Sequence, residues 1–147
     1  METTVQSPAL VMRILKLAFI VSGFLFIFVM FVIPPPGPPA ARQFQFAIAA
    51  MGLISLAAGF FVPRLVTEAA RPAVENRSLE IERGRWLTRG ILSLAFFEAC
   101  ILCGFMVHML GGSVRIVALL FAAGIAAEIF WSPGNPPGGE QGESVHG

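Results

Sequence analysis

Four stretches nearly free of charge decide what this chain can fold into: 17–33 (LAFIVSGFLFIFVMFVI), 44–62 (FQFAIAAMGLISLAAGFFV), 90–110 (GILSLAFFEACILCGFMVHML) and 114–131 (VRIVALLFAAGIAAEIFW). As helices rising 1.5 Å per residue they reach roughly 25–32 Å, close to the ~30 Å thickness of a bilayer's hydrocarbon core. A membrane barrel would need polar and apolar residues in strict alternation, and none of the four stretches alternates. A helix satisfies its own backbone hydrogen bonds in lipid. The expected fold is therefore all-α: a polytopic four-transmembrane-helix bundle, with helices at about 14–33, 44–62, 90–110 and 114–131 in one domain over residues 1–131. Composition agrees. Hydrophobic residues make up 56% of the 147 and charged residues 13%, against about 45–50% and about 25% in soluble domains. A chain this short has too little interior to hide the excess. A net charge of +1 leaves no field to draw nucleic acid.

Breaker residues punctuate the segments. The run Pro34-Pro35-Pro36-Gly37-Pro38-Pro39 stops the first helix, because proline lacks the N–H and clashes with the preceding turn. A cleaved leader would show a shorter core and a small-residue cleavage site, so the first helix is expected to be a retained anchor. Pro63 is expected to kink or end the second helix. Gly111-Gly112-Ser113 makes a tight turn between the third and fourth. The tail 132–147 is rich in Gly, Pro, Glu and Ser and is expected to be disordered.

Cationic residues in short loops choose the side of the membrane. Arg13 and Lys16 precede the first helix, and Arg64, Arg71, Arg77, Arg83, Arg85 and Arg89 lie in the polar loop 64–89; the opposite side holds only Arg42 and Arg115. The N-terminus, the loop and the C-terminus are thus expected on the cytoplasmic side of a plasma membrane, with small size and compact loops favouring a bacterial inner membrane. Glu80/Arg83 and Glu82/Arg85 stand at helical spacing, so the third helix is expected to begin near Leu79 as a long cytoplasmic extension, with Pro72 dividing the loop. The six arginines are candidates for facing anionic lipid headgroups or a partner.

Small residues recur at helical spacing: Ala49, Gly52, Ser55 and Gly59; Ala95, Ala99 and Cys103; Ala118, Ala122 and Ala126. Such stripes let helices approach closely and are expected to pack the bundle, a second copy of the chain or a membrane-protein partner. Cys100 and Cys103 have the spacing of a redox pair but sit among Ile, Leu and Phe, without the exposure and electropositive setting of a reactive thiol. They read as small packing residues. His108 has no second axial ligand suited to a haem. No phosphate loop, nucleophile–histidine set or zinc spacing is present, so neither a cofactor nor a metal is expected.

Glu98 and Glu128 are the chemically odd residues. A carboxylate within lipid costs at least ~2.5 kcal/mol on insertion scales, and it persists by facing other helices, pairing or taking up a proton. Glu98 lies roughly 12 Å inside the third segment and Glu128 about 5 Å inside the fourth. Both fall in the cytoplasmic half, within one side chain of each other if the right faces meet. Glu128 is placed to snorkel to the headgroups. Glu98 is expected either to bond a backbone carbonyl or Ser55 as interhelical glue, or to handle a proton or cation.

The stretch from Ala95 to Val107 (AFFEACILCGFMV) resembles the carboxylate helix of the rotary ATPase proteolipid, subunit c, in which a carboxylate is followed by a small residue and a glycine about six positions on. The resemblance implies a proton- or sodium-carrying role for Glu98. Helix two lacks that family's alternating glycines and the polar loop is longer than its short turn, so the likeness bears on Glu98 alone. The expectation for the whole chain is a non-enzymatic accessory or interaction subunit in the bilayer, with proton or cation handling at Glu98 as the alternative and a membrane enzyme as the weakest reading.

Overall fold

The computed structural model describes residues 7–34, 39–69 and 79–137. They form four helices: α1 (Pro8–Val32), α2 (Arg42–Ala69), α3 (Leu79–Met109) and α4 (Val114–Phe130). Three of them, α1, α2 up to Val66 and α3, are long and apolar enough to cross a membrane. The fourth has 17 residues and reaches about 26 Å.

Each helix starts or stops for a local reason. Pro8 occupies the first turn of α1, where its missing N–H is no loss, and the Ser7 hydroxyl accepts from the Leu10 N–H at 3.3 Å. The helix thus begins six residues before the expected 14. At the other end of the molecule α3 closes with a left-handed Gly111 (φ +69°). The Gly112 N–H bonds the Val107 carbonyl and the Gly111 N–H that of His108, both at 2.9 Å, the paired pattern that satisfies a helix's last carbonyls. Pro39 packs against Gly111, and the Ala40 N–H donates to Leu110 O at 3.0 Å. Buried Gln45 adds bonds to the carbonyls of Ala40 and Leu110. The α1–α2 and α3–α4 connections are thereby stitched together.

Pro63 neither ends α2, which runs on to Ala69, nor faces lipid. It is fully buried, where neighbouring helices can re-satisfy the freed backbone group. Within the polar loop 64–89, α2 carries helix as far as Ala69 and α3 begins at Leu79, with Glu80 and Glu82 in its first turn, next to the positive end of its dipole. Pro72 lies outside the described residues.

The third helix is the axis of the molecule. It contacts α1, α2 and α4, whereas α1 and α2 do not meet among the described residues. Neighbours alternate in direction: Gly52 abuts Cys103 and Gly59 abuts Phe97 on α2–α3, while Gly104 abuts Phe121 and Gly124 abuts Ile101 on α3–α4. The starts of α1 and α3 and the ends of α2 and α4 therefore share one end of the stack. That end carries Arg13, Lys16, Arg64, Arg83, Arg85 and Arg89, and the far end carries Arg42 and Arg115.

The core is Ile48, Cys100, Ile101, Val107, Leu120 and Phe121 with their neighbours. The outside is equally apolar. On α1 alone, Leu17, Val21, Phe24, Leu25, Phe28 and Phe31 are 55–86% exposed, far more contiguous apolar surface than a water-soluble monomer presents. This is the surface of a protein located in a membrane.

The small-residue stripes divide. Ala49, Gly52 and Gly59 are buried and Ser55 partly so; with no side chain at Gly52 or Gly59, α2 seats directly on α3. On α3 only Cys103 is buried, with Ala99 partly exposed and Ala95 exposed. Ala118 and Ala122 are exposed and Ala126 partly so, so this stripe does not pack the α3–α4 contact. Gly104 and Gly124, on the other face of each helix, make it.

Candidate functional site

Three polar side chains from three helices meet inside this apolar stack. Gly23 on α1 packs against Ile101 and Ile125, where an added Cβ would lie 3.2 and 3.3 Å from their side chains. That close approach sets the adjacent Ser22 beside α3, and its hydroxyl donates to Glu98 Oε1 at 2.6 Å. The partner is Ser22 on α1 rather than Ser55 on α2. On the other flank, Gly124 lies against Ile101 and the Phe97 carbonyl. One turn later, on the same face of α4, Glu128 is fully buried. Its carboxyl lies close to that of Glu98.

Glu128 thus does not snorkel. Aromatic rings pack at this end of the stack: buried Trp131 caps α4 and meets Phe97 edge-on at 6.0 Å, and Phe97 meets Phe60 at a tilt with centroids 4.9 Å apart. The cation at this level is Lys16, whose ammonium donates to the carbonyls of Ile129 at 2.7 Å and Trp131 at 3.0 Å. It satisfies the orphan carbonyls of the α4 terminus and complements the negative end of its dipole. Nothing in the sequence pointed to Ser22 or to this role of Lys16. Serine in an apolar run reads as a small residue, and a lysine before a span reads as a topology signal.

Counted as two ionised groups, the pair is unsatisfied. Glu98 Oε2 and both oxygens of Glu128 are buried and have no hydrogen-bond donor among the described residues. A carboxylate can only accept, whereas a protonated carboxyl can also donate. Two negative charges here would incur both desolvation and mutual repulsion. One proton held between the groups removes the repulsion, neutralises one charge and supplies the missing donor. The arrangement can take up, hold and release a proton, or bind a small cation through the Ser22 hydroxyl and the carboxyl oxygens.

The remaining candidates lie elsewhere. Cys100 and Cys103 are free and buried, with the Cys100 thiol 3.6 Å from the Leu120 carbonyl, a packing position. His108 stands near the far end, its Nε2 buried and without a partner among the described residues. The described residues hold no group of three or more His, Cys, Asp or Glu suited to a metal ion. Of the loop arginines, Arg64, Arg85 and Arg89 lie at the basic end, while Arg83 donates through Nε to the Pro137 carbonyl at 3.4 Å. Arg71 and Arg77 lie outside the described residues. So does 138–147 of the tail, but 132–137 is held to α3: the Trp86 indole donates to Gly134 O at 3.1 Å.

No family model, curated protein or solved structure matches the chain.

Proposed function

We propose that this chain is a four-span integral membrane protein, with the basic end of its helices cytoplasmic in a bacterial inner membrane, and that it handles protons at Ser22, Glu98 and Glu128 without enzymatic chemistry. The observation that carries the reading is the fully buried Glu128, both oxygens without a donor among the described residues, close to Glu98. Interhelical glue needs one satisfied polar pair. Beyond the Ser22 bond, this site has three buried acceptor oxygens without a donor among the described residues, which a proton shared between the carboxyls or a small cation would serve. The resemblance of 95–107 to the proteolipid carboxylate helix supports the same role for Glu98. The gathering of cations at one end supports the orientation, and the antiparallel seating of α4 on α3 supports a fourth span.

The experiment is proton flux into liposomes containing the purified chain and a trapped pH dye, with labelling by dicyclohexylcarbodiimide, to whose central carbon a protonated carboxyl adds, as the second readout. Wild type should conduct, and labelling at Glu98 or Glu128 should fall as pH rises. Glu98→Gln and Glu128→Gln should each stay monodisperse in detergent and lose flux. Flux retained in both variants, with no carboxyl labelled at any pH, would refute proton handling.

A second reading has its own observation. The exposed Ala118 and Ala122 line an apolar groove of about 510 Å³ between α1 and α4, walled by Ile27, Met30, Phe31 and Phe130. A groove floored by small residues suits another transmembrane helix, which favours an accessory subunit that packs a second copy or a membrane partner there. Cross-linking between cysteines placed at Ala118 or Ala122 and a neighbouring chain would support it.

A further inference from the structure

The basic end of the molecule contains a pocket separate from the carboxyl pair, and we propose that it holds the phosphate-bearing headgroup of an anionic lipid. The cavity is about 260 Å³ and lies between the first turns of α1, the Trp86 indole and residues 131–136. Such a volume is small for a metabolite site and suits a single headgroup. Two cations line it, Arg13 and Lys16, and no carboxylate does among the described residues. The Lys16 ammonium spends two of its three protons on the carbonyls of Ile129 and Trp131, leaving one for a ligand. The Arg13 guanidinium is exposed, with the planar set of donors that matches phosphate oxygens.

The walls stand ready before any ligand arrives. Trp86 fastens Gly134, the Gly134 N–H bonds the Ser132 hydroxyl at 3.4 Å, Arg83 fastens Pro137 and Lys16 fastens the end of α4. Asn135 adds an amide to the rim.

Two features favour a lipid over a soluble phosphate. Trp86 and Trp131 are residues of the membrane–water boundary. Beside Arg13 on α1, the side chains of Leu10, Ile14 and Leu17 are 46–63% exposed, an apolar track for acyl chains leading away from the charged mouth. Basic pockets between helices on the cytoplasmic side are where anionic headgroups bind. The inference requires that the chain sit in a membrane and is independent of proton handling.

Native mass spectrometry of the full-length chain, released from a mild detergent, tests it with phosphatidylglycerol, phosphatidylcholine and inorganic phosphate added separately. One phosphatidylglycerol per chain should survive activation, and phosphatidylcholine should be lost. Arg13→Gln, at an exposed position that leaves the fold intact, should weaken phosphatidylglycerol about five-fold, whereas Arg115→Gln at the far end should leave it unchanged. Equal retention of both lipids, equal losses in the two variants, or complete displacement of lipid by millimolar inorganic phosphate would overturn the proposal.

Discussion

Replacing Gly124 with alanine tests whether close helix contact is what assembles the carboxyl pair. An added Cβ at Gly124 would lie 2.5 Å from Ile101 Cγ1, 3.2 Å from the Phe97 carbonyl oxygen and 3.3 Å from Ile101 Cδ1. Carbon atoms rest at about 3.5–4.0 Å, so the nearest contact is short by roughly 1 Å. Ile101 is fully buried, and its Cδ1 also packs against Gly23 of α1, so turning its side chain moves the strain to α1. Overpacking of this kind costs about 1–3 kcal/mol, while alanine in place of glycine returns about 1 kcal/mol of helix propensity. The control is Gly84→Ala, since nothing lies within 4 Å of a Cβ at Gly84 and only the propensity gain remains. The propensity contributions cancel between the two variants, so the difference between them isolates the steric cost. Thermal unfolding in mild detergent should place Gly124→Ala below Gly84→Ala by about 1–3 kcal/mol. Carbodiimide labelling of Glu128 should also change in the first variant as α4 retreats from α3. Equal stabilities would show that α4 has room to spare against α3, and close packing would then not be what holds the two carboxyls together.

Other substitutions separate the remaining interactions. Ser22→Ala should cost about 1–3 kcal/mol, the range for a lost hydrogen bond to a carboxyl group, and Ser22→Thr, which keeps the hydroxyl, should recover most of it in the same melt. Lys16→Gln should destabilise by about 0.3–2 kcal/mol through the exposed carbonyls of the α4 terminus, whereas Arg115→Gln, which removes a cation from the first turn of α4, should be neutral or slightly stabilising. Cys100 and Cys103 should resist maleimide in the folded chain and react together after denaturation, because both thiols are buried; rapid labelling of the native protein would contradict the packing of α3 against α2 and α4. Trp86→Phe should raise proteolysis after Ser132 by removing the bond to Gly134.

Lengths, apolar runs and breakers carried the helices, because a 1.5 Å rise and a charge-free stretch are read directly from residue order. Pro63 does not end α2, because a proline's effect depends on its neighbours: one buried among helices is tolerated where an isolated one is not. Glu98 and Glu128 stood out because charge in an apolar run is conspicuous whichever way the helix turns. Their partner did not, since which of Ser22 and Ser55 meets Glu98 depends on how α1 and α2 rotate around α3. Periodicity is likewise blind to which stripe is chosen. Ala118, Ala122 and Ala126 repeat as regularly as any, yet the contact with α3 falls on Gly124, because there the α3 surface brings Ile101 and a backbone carbonyl so near that even a methyl group would not fit.

That choice of face fixes where the second carboxyl goes. Gly124 and Glu128 are four residues apart and so share a face; once the glycine is pressed against α3, Glu128 must point inward. Ile129, the next residue, is 44% exposed and Phe130 84%, so a carboxylate moved by one or two positions would face lipid. The same logic holds on α1, where Gly23 pressed against Ile101 and Ile125 turns Ser22 toward Glu98. Burial of Glu128 is then enforced by packing rather than by any attraction between the carboxyls, whose contact costs free energy while both are charged. Two carboxylates held together in this way keep that cost unless a proton or cation offsets it. The variant Glu128→Leu should therefore be at least as stable as wild type, since it removes the cost and keeps an apolar side chain in the same space, while abolishing the flux that Ser22, Glu98 and Glu128 are proposed to support. Unfolding of Glu128→Leu in the same detergent would mean that the carboxyl pair stabilises the bundle, which is the behaviour of glue.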